Sequence, residues 1–179
     1  SVELKENSKY SFIEENLIKF NFNEIGNFDI IIHIASLASP VYYKKFPLET
    51  IDNSVTVTRK LLEKCKESNA RFLFFSSSEI YGDPSPQNIP TAESYKGYLS
   101  CQGPRSCYGE SKRLGETLCY IYNTKYNVNT IIIRLFNIYG PGMSIEKDYR
   151  IVPNIIKSAL RKQKVDVYGN GNQTRTFCY

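Results

Sequence analysis

The sequence predicts an α/β fold built on a doubly wound parallel sheet, and three observations lead to it. Short continuous apolar runs, rich in β-branched residues, read as strands buried on both faces. Helix-length stretches connect one run to the next, and helical crossovers between buried strands imply parallel pairing. The 179 residues are 41% hydrophobic and 23% charged, an ordinary balance for one globular domain with a substantial core.

Each element can be justified in turn. Phe28-Asp29-Ile30-Ile31-Ile32-His33-Ile34-Ala35 is the first buried strand. A helix is predicted over 47–68, where Pro47 suits a first turn. Arg71-Phe72-Leu73-Phe74-Phe75-Ser76 is the second strand. The Gly/Pro/Ser-rich stretch 82–104 is a loop longer than ordinary connections, and loops of that length are often functional. A helix over 105–126 and a third buried strand, Thr130-Ile131-Ile132-Ile133-Arg134-Leu135, follow. A helix over 152–161 and a short strand over 165–168 complete the pattern, with no internal repeat and no second complete domain.

Composition excludes several function classes. The net charge is +5, but the basic clusters Lys44-Lys45 and Arg161-Lys162-Gln163-Lys164 are short and have no aromatic platform, so they read as solvated faces rather than a nucleic-acid surface. The five cysteines show no paired metal spacing, and the one histidine, His33, leaves no zinc ligand set. Reduced thiols point to the cytoplasm. No apolar run approaches the ~20 residues that span a bilayer, and no secretory leader opens the chain. The expectation is a soluble, cytoplasmic protein with no membrane insertion. Because the chain opens on Ser1 and its first glycine is Gly26, the fold is expected to be truncated at both ends.

Chemistry concentrates where strands end. Tyr108-Gly109-Glu110-Ser111-Lys112 lies on a predicted helix, where four residues advance about 400° and stack the Tyr108 and Lys112 side chains on one face. Leu114, Leu118 and Ile121 are assigned to a different, core-facing stripe. A free tyrosine, with a pKa of about 10, is a poor base at neutral pH. A neighbouring ammonium is expected to lower that value, so that the pair can take a proton from a hydroxyl. Alone, such a pair is an ordinary i,i+4 surface arrangement. The second strand, however, runs into Ser76-Ser77-Ser78-Glu79-Ile80-Tyr81-Gly82, and hydroxyls at the carboxyl end of a parallel strand sit where open α/β sheets bind ligands. The third strand ends in Arg134-Leu135-Phe136-Asn137-Ile138-Tyr139-Gly140-Pro141, read as a turn at the same edge. Tyr168-Gly169-Asn170-Gly171-Asn172-Gln173-Thr174-Arg175 adds a turn and an arginine able to grip a diphosphate.

These segments, with His33-Ile34-Ala35-Ser36 and Gly103-Pro104-Arg105-Ser106-Cys107-Tyr108, stand in the order that resembles extended short-chain dehydrogenases acting on nucleotide sugars, and most of all the UDP-glucuronate decarboxylase (UDP-xylose synthase) subfamily. The resemblance implies a Rossmann-like fold, NAD as cofactor, a UDP-sugar substrate and a homodimer. By it, Ser77, Tyr108 and Lys112 match the catalytic triad, and Ser78 and Glu79 match sugar-site positions. Related 4,6-dehydratases carry an aspartate where Ser78 stands, which argues against dehydration.

Asn16, Leu17, Ala35, Ser36, Ser54, Tyr108 and Lys112 fall on NAD-contacting positions, and Asn137, Arg150, Asn154 and Arg175 on positions holding the nucleotide diphosphate. Asn16-Leu17 stands where the family has an aspartate followed by an apolar residue, and Asp52-Asn53-Ser54 where it has Lys-Thr-Asn. The expected division is an NAD-binding domain over 1–150, lacking its glycine-rich loop, and the start of a small nucleotide-sugar-binding region over 151–179. The implied reaction is decarboxylation of a UDP-hexuronic acid. A nucleotide-sugar 4-epimerase or 4,6-dehydratase, and a non-catalytic nucleotide-binding protein, are the alternatives.

Overall fold

A computed structural model describes residues 8–143, 150–165, 167 and 169–179. Strands β1 (Ile30–His33), β2 (Arg71–Ser77) and β3 (Thr130–Leu135) form a parallel sheet in the order β1-β2-β3. Ile31 pairs with Phe72, and Phe72 with Thr130, so the carboxyl ends of all three strands lie at one edge. The α/β class and the parallel pairing are as the apolar runs predicted.

The crossover from β1 to β2 is helical almost throughout. Helix α1 (Pro40–Lys45) begins behind Ser39, with Pro40 in its first turn. Helices α2 (Pro47–Asp52) and α3 (Thr58–Ser68) are joined by a π-helical turn, Asn53–Val57, in place of one uninterrupted α-helix. Asn69 ends α3 in the left-handed conformation, with φ 54°. Helix α4 (Ser106–Tyr126) carries the chain from β2 to β3, and α5 (Ile151–Leu160) follows β3.

Three expectations change at this level. The turn foreseen after the third strand contains β4 (Asn137–Ile138), which pairs in parallel with β5 (Phe177–Cys178). Val165 and Val167 are not in a strand, and residues 166 and 168 of that expected strand, Tyr168 included, lie outside the described residues. The strands are also not buried on both faces. Phe72 and Phe74 are fully buried in a core with Val57 from the π-helical turn and Leu61, Leu62, Cys65 and Cys119 from α3 and α4. On the opposite face Ile30 and Ile32 are about half exposed, at 50% and 53%. Among the described residues α3 and α4 share one face of the sheet, so the β-branched residues of the other face stay open.

Candidate active site

Helix α4 places the tyrosine and lysine, but on a different face from the one expected. Its buried strip is Tyr108, Ser111, Lys112, Gly115, Cys119 and Tyr122, whereas Leu114 is 46% exposed and Leu118 only partly buried. Tyr108 and Lys112 therefore do not point away from the core; they are its upper end. Gly115 explains the rotation, since a methyl group at that position would overlap the Phe74 ring, and only a glycine lets the helix lie this close to β2. The spacing of Tyr108, Lys112, Gly115, Cys119 and Tyr122 at intervals of four and three was the signal that could have identified this strip.

The two side chains arrive at the carboxyl end of β2. Lys112 is 2% exposed, and its Nζ donates to the Phe75 carbonyl at 2.8 Å while lying 5.0 Å from the centre of the Phe74 ring. Ser77, two residues along, accepts from the Glu79 backbone N–H at 3.2 Å and so caps the 3-10 turn Ser78–Tyr81. Tyr108 is 7% exposed and stacks on Tyr43, with ring centres 5.3 Å apart and planes 17° apart. Glu79 is held by Arg105, whose Nη2 donates to both carboxylate oxygens at 2.6 Å. That pair is half exposed and contributes little to stability.

The electrostatics differ from the expected ammonium–phenolate couple. Burial raises the Tyr108 pKa above its ordinary value. The Ser77 and Ser36 hydroxyls and the Arg150 cation oppose that rise, while Glu79 adds to it. Burial also depresses Lys112, from 10.5 to about 8. Its ammonium faces a backbone carbonyl rather than the phenol, whose ring centre is 6.0 Å away, and the groups that favour the Tyr108 phenolate are the serine hydroxyls and Arg150.

Among the described residues, four buried oxygens around this end of the sheet have no hydrogen-bond partner: Ser36 Oγ, Ser39 Oγ, Tyr43 OH and Ser54 Oγ. Ser36 stands near enough to the phenol to favour its ionised form without being aligned to bond it. Unpartnered buried hydroxyls are costly, and several in one region fit a polar ligand that would satisfy them. Ser36 and Ser54 are among the predicted NAD contacts, and Ala35 lies exposed beside Ser36 just beyond β1. Ser39 and Tyr43 were missed, although the Ser39-Pro40 pair is a helix-start signal that would have placed Tyr43 on a helix.

The remaining candidates fall in two places. Asn137 on β4 donates from Nδ2 to the Thr176 carbonyl at 2.8 Å, one residue along the chain from Arg175. Arg150 is the N-cap residue of α5, and its carbonyl accepts from the Asn154 N–H at 3.1 Å, one turn on. Asn16 and Leu17 stand apart. The Asn16 Oδ1 accepts from the Ile18 N–H at 3.0 Å, closing its own turn, and Leu17 packs against the core. Among the described residues no helix is long and apolar enough to cross a membrane, and no group of three or more His, Cys, Asp or Glu side chains is placed to hold a metal.

Comparison with known proteins shows the family. The chain is 43% identical to UDP-glucuronic acid decarboxylase 4 of Arabidopsis thaliana over 96% of its length and 37% of that relative's. It is 42% identical to UDP-glucuronic acid decarboxylase 1 of Xenopus tropicalis over 84% of its length and 35% of that relative's. The chain thus spans well under half the length of these curated relatives. Among solved structures, the UDP-glucuronic acid 4-epimerase of Bacillus cereus in complex with NAD superposes with a TM-score of 0.80 at 28% identity, over 99% of this chain and 54% of that one. Residues 9–179 match the model of the NAD dependent epimerase/dehydratase family, and the chain belongs to that family.

Proposed function

We propose that the protein catalyses NAD-dependent decarboxylation of a UDP-hexuronic acid, of the UDP-glucuronate to UDP-xylose type, through a 4-keto sugar. The observation that carries this reading is the similarity to UDP-glucuronic acid decarboxylases over 96% of the chain, within which Tyr108, Lys112 and Ser77 meet at the end of β2. Ser36, Ser54, Tyr108 and Lys112 would hold the cofactor, with Ala35 beside them, and the unpartnered hydroxyls of Ser36 and Ser54 fit that use. Bound NAD would supply a hydride acceptor for the sugar C4 and return the hydride in the closing step.

Tyr108 takes the proton of the C4 hydroxyl, and Ser77 polarises the oxygen as it becomes a ketone. That ketone lies β to the C6 carboxylate, so carbon dioxide leaves with its bonding electrons delocalised into an enolate; a proton added at C5 restores the ketone, and Tyr108 gives its proton back to the C4 oxygen as the hydride returns to C4. Lys112 orients the site from its tether on Phe75. Ser78 and Glu79 line the sugar, and the partly buried Ser78 hydroxyl cannot supply the proton that dehydration needs. Asn137 and Arg175, joined through the β4–β5 pair, and Arg150 with Asn154 at the start of α5 grip the diphosphate as residues 151–179 begin the nucleotide-sugar region.

The likeness to a UDP-glucuronic acid 4-epimerase favours one second reading, which keeps the oxidation and replaces carbon dioxide loss by re-addition of hydride to the opposite face. Incubation of the full-length protein with UDP-glucuronate and NAD separates the two. UDP-xylose and carbon dioxide without net NADH support decarboxylation; UDP-galacturonate as sole product replaces it with epimerisation.

The same proposal makes the enzyme a cytoplasmic homodimer. Its five cysteines are free, as a reducing compartment keeps them. Ile51, Val55 and Leu114, with Glu110 and Arg113 beside them, form an apolar groove between α2 and α4 suited to a second copy. Sedimentation of the Leu114→Glu variant as a monomer, against a dimeric parent, is the expected result.

A further inference from the structure

A polar cluster beside the site takes no part in the chemistry above. Glu116 stands one turn beyond Lys112 on α4. Its carboxylate accepts from Ser76 Oγ at 2.6 Å, from Arg134 Nε at 3.0 Å and from Arg134 Nη2 at 2.8 Å. Ser76 and Arg134 are register partners on β2 and β3, so one carboxylate ties two strand ends to the helix. The guanidinium reaches further. Its Nη1 donates to Tyr81 OH at 2.9 Å and to the Glu93 carbonyl at 2.6 Å, fastening the turn that carries Ser78 and Glu79 and the loop behind it.

The Arg134 and Glu116 side chains are only 24% and 14% exposed. Desolvation offsets much of the attraction in such a pair, so it is a weak source of stability. Its two-pronged geometry fixes direction as well as distance. Helix α4 therefore grips β2 at consecutive residues, Lys112 on the Phe75 carbonyl and Glu116 on the Ser76 hydroxyl, immediately before Ser77.

We propose that Ser76, Glu116 and Arg134 are positioning residues that hold the end of β2 so that the Ser77 hydroxyl stays against the Tyr108 phenol. They act through Ser77 and touch neither sugar nor cofactor. The inference rests on the reading of Tyr108 as the base. It adds a requirement that composition of the triad alone does not contain, since displacement of a catalytic group by a fraction of an ångström slows turnover without weakening binding.

Ser76→Ala in the full-length protein removes one tether and leaves the ion pair in place. With UDP-glucuronate it should lower kcat about tenfold at unchanged KM. NMR of labelled tyrosine ring carbons, with Tyr108→Phe for assignment, should find the Tyr108 titration moved to higher pH, because the Ser77 hydroxyl favours the phenolate. Ser76→Thr, which keeps the hydroxyl, should restore both. Arg134→Lys, which keeps the charge but not the fork, should behave as Ser76→Ala. A Ser76→Ala protein whose Tyr108 titrates as in the parent overturns the proposal. A parent protein inactive on UDP-glucuronate refutes the decarboxylase reading instead, and the titration, which needs no substrate, still decides the positioning.

Discussion

Tyr108 sits where burial works against its use as a base, so its reactivity depends on what surrounds the phenol rather than on the residue type. Removing only the hydroxyl isolates that role. Tyr108→Phe keeps the ring stacked on Tyr43 and should leave folding intact while lowering turnover ~10²-fold or more at saturating NAD, measured as UDP-xylose formed. Near-parental turnover would return Tyr108 and Lys112 to the status of a packing pair. Tyr108, Lys112 and Ser77 were legible in the sequence because they lie in short motifs at strand and helix ends. Tyr43 and Ser39 were not, because their unpartnered hydroxyls are defined by the crossover folding back over α4. The effect of Lys112 was misjudged for a related reason: the i,i+4 spacing names its neighbour on the helix, whereas its actual partner, the Phe75 carbonyl, belongs to a strand.

At the scale of elements, helix α4 sets the site because it lies close enough to β2 for Lys112 and Glu116 to reach consecutive strand residues. Gly115 permits that approach, and Phe74 beneath it is fully buried with no room to retreat. Gly115→Val should therefore lower the unfolding free energy by about 1–3 kcal/mol, the usual range for overpacking, even though glycine is a weak helix former. Urea denaturation measures it; a variant as stable as the parent would mean that Phe74 yields after all. The elements themselves were largely readable, since the apolar runs at Ile30–His33, Arg71–Ser77 and Thr130–Leu135 and the helix Ser106–Tyr126 appear close to where periodicity put them. Which face of α4 is buried was not. Hydropathy favours Leu114 over a tyrosine and a lysine, but Leu114 is 46% exposed, while Lys112 is buried because a strand carbonyl satisfies its ammonium. The pairing of Asn137–Ile138 with Phe177–Cys178 was equally hidden, as two-residue strands carry no periodicity.

At the scale of the whole molecule, His33 links stability to pH. It closes β1 at 2% exposure, and its Nε2 lies 3.2 Å from the Asn53 carbonyl, which requires the proton on that nitrogen. Burial chiefly, and the Lys112 charge after it, depress its pKa from 6.5 to about 4, with the Asn53 hydrogen bond opposing. The folded state thus keeps His33 neutral where the unfolded chain already binds a proton. Stability from this group is fully present above about pH 6.5 and is lost as pH falls toward 4, the unfolded state binding more protons across that window. The depression sets a ceiling of about 3 kcal/mol on the loss. Since the π-helical turn, through the Asn53 carbonyl, and β2, through Phe72 and Phe74, both meet this residue, the loss should appear as global unfolding rather than local fraying. Urea midpoints measured from pH 7 to pH 4 should fall for the parent and fall less steeply for His33→Gln, whatever the variant's stability at pH 7. An equally steep decline in both proteins would assign the acid sensitivity to the carboxylates instead.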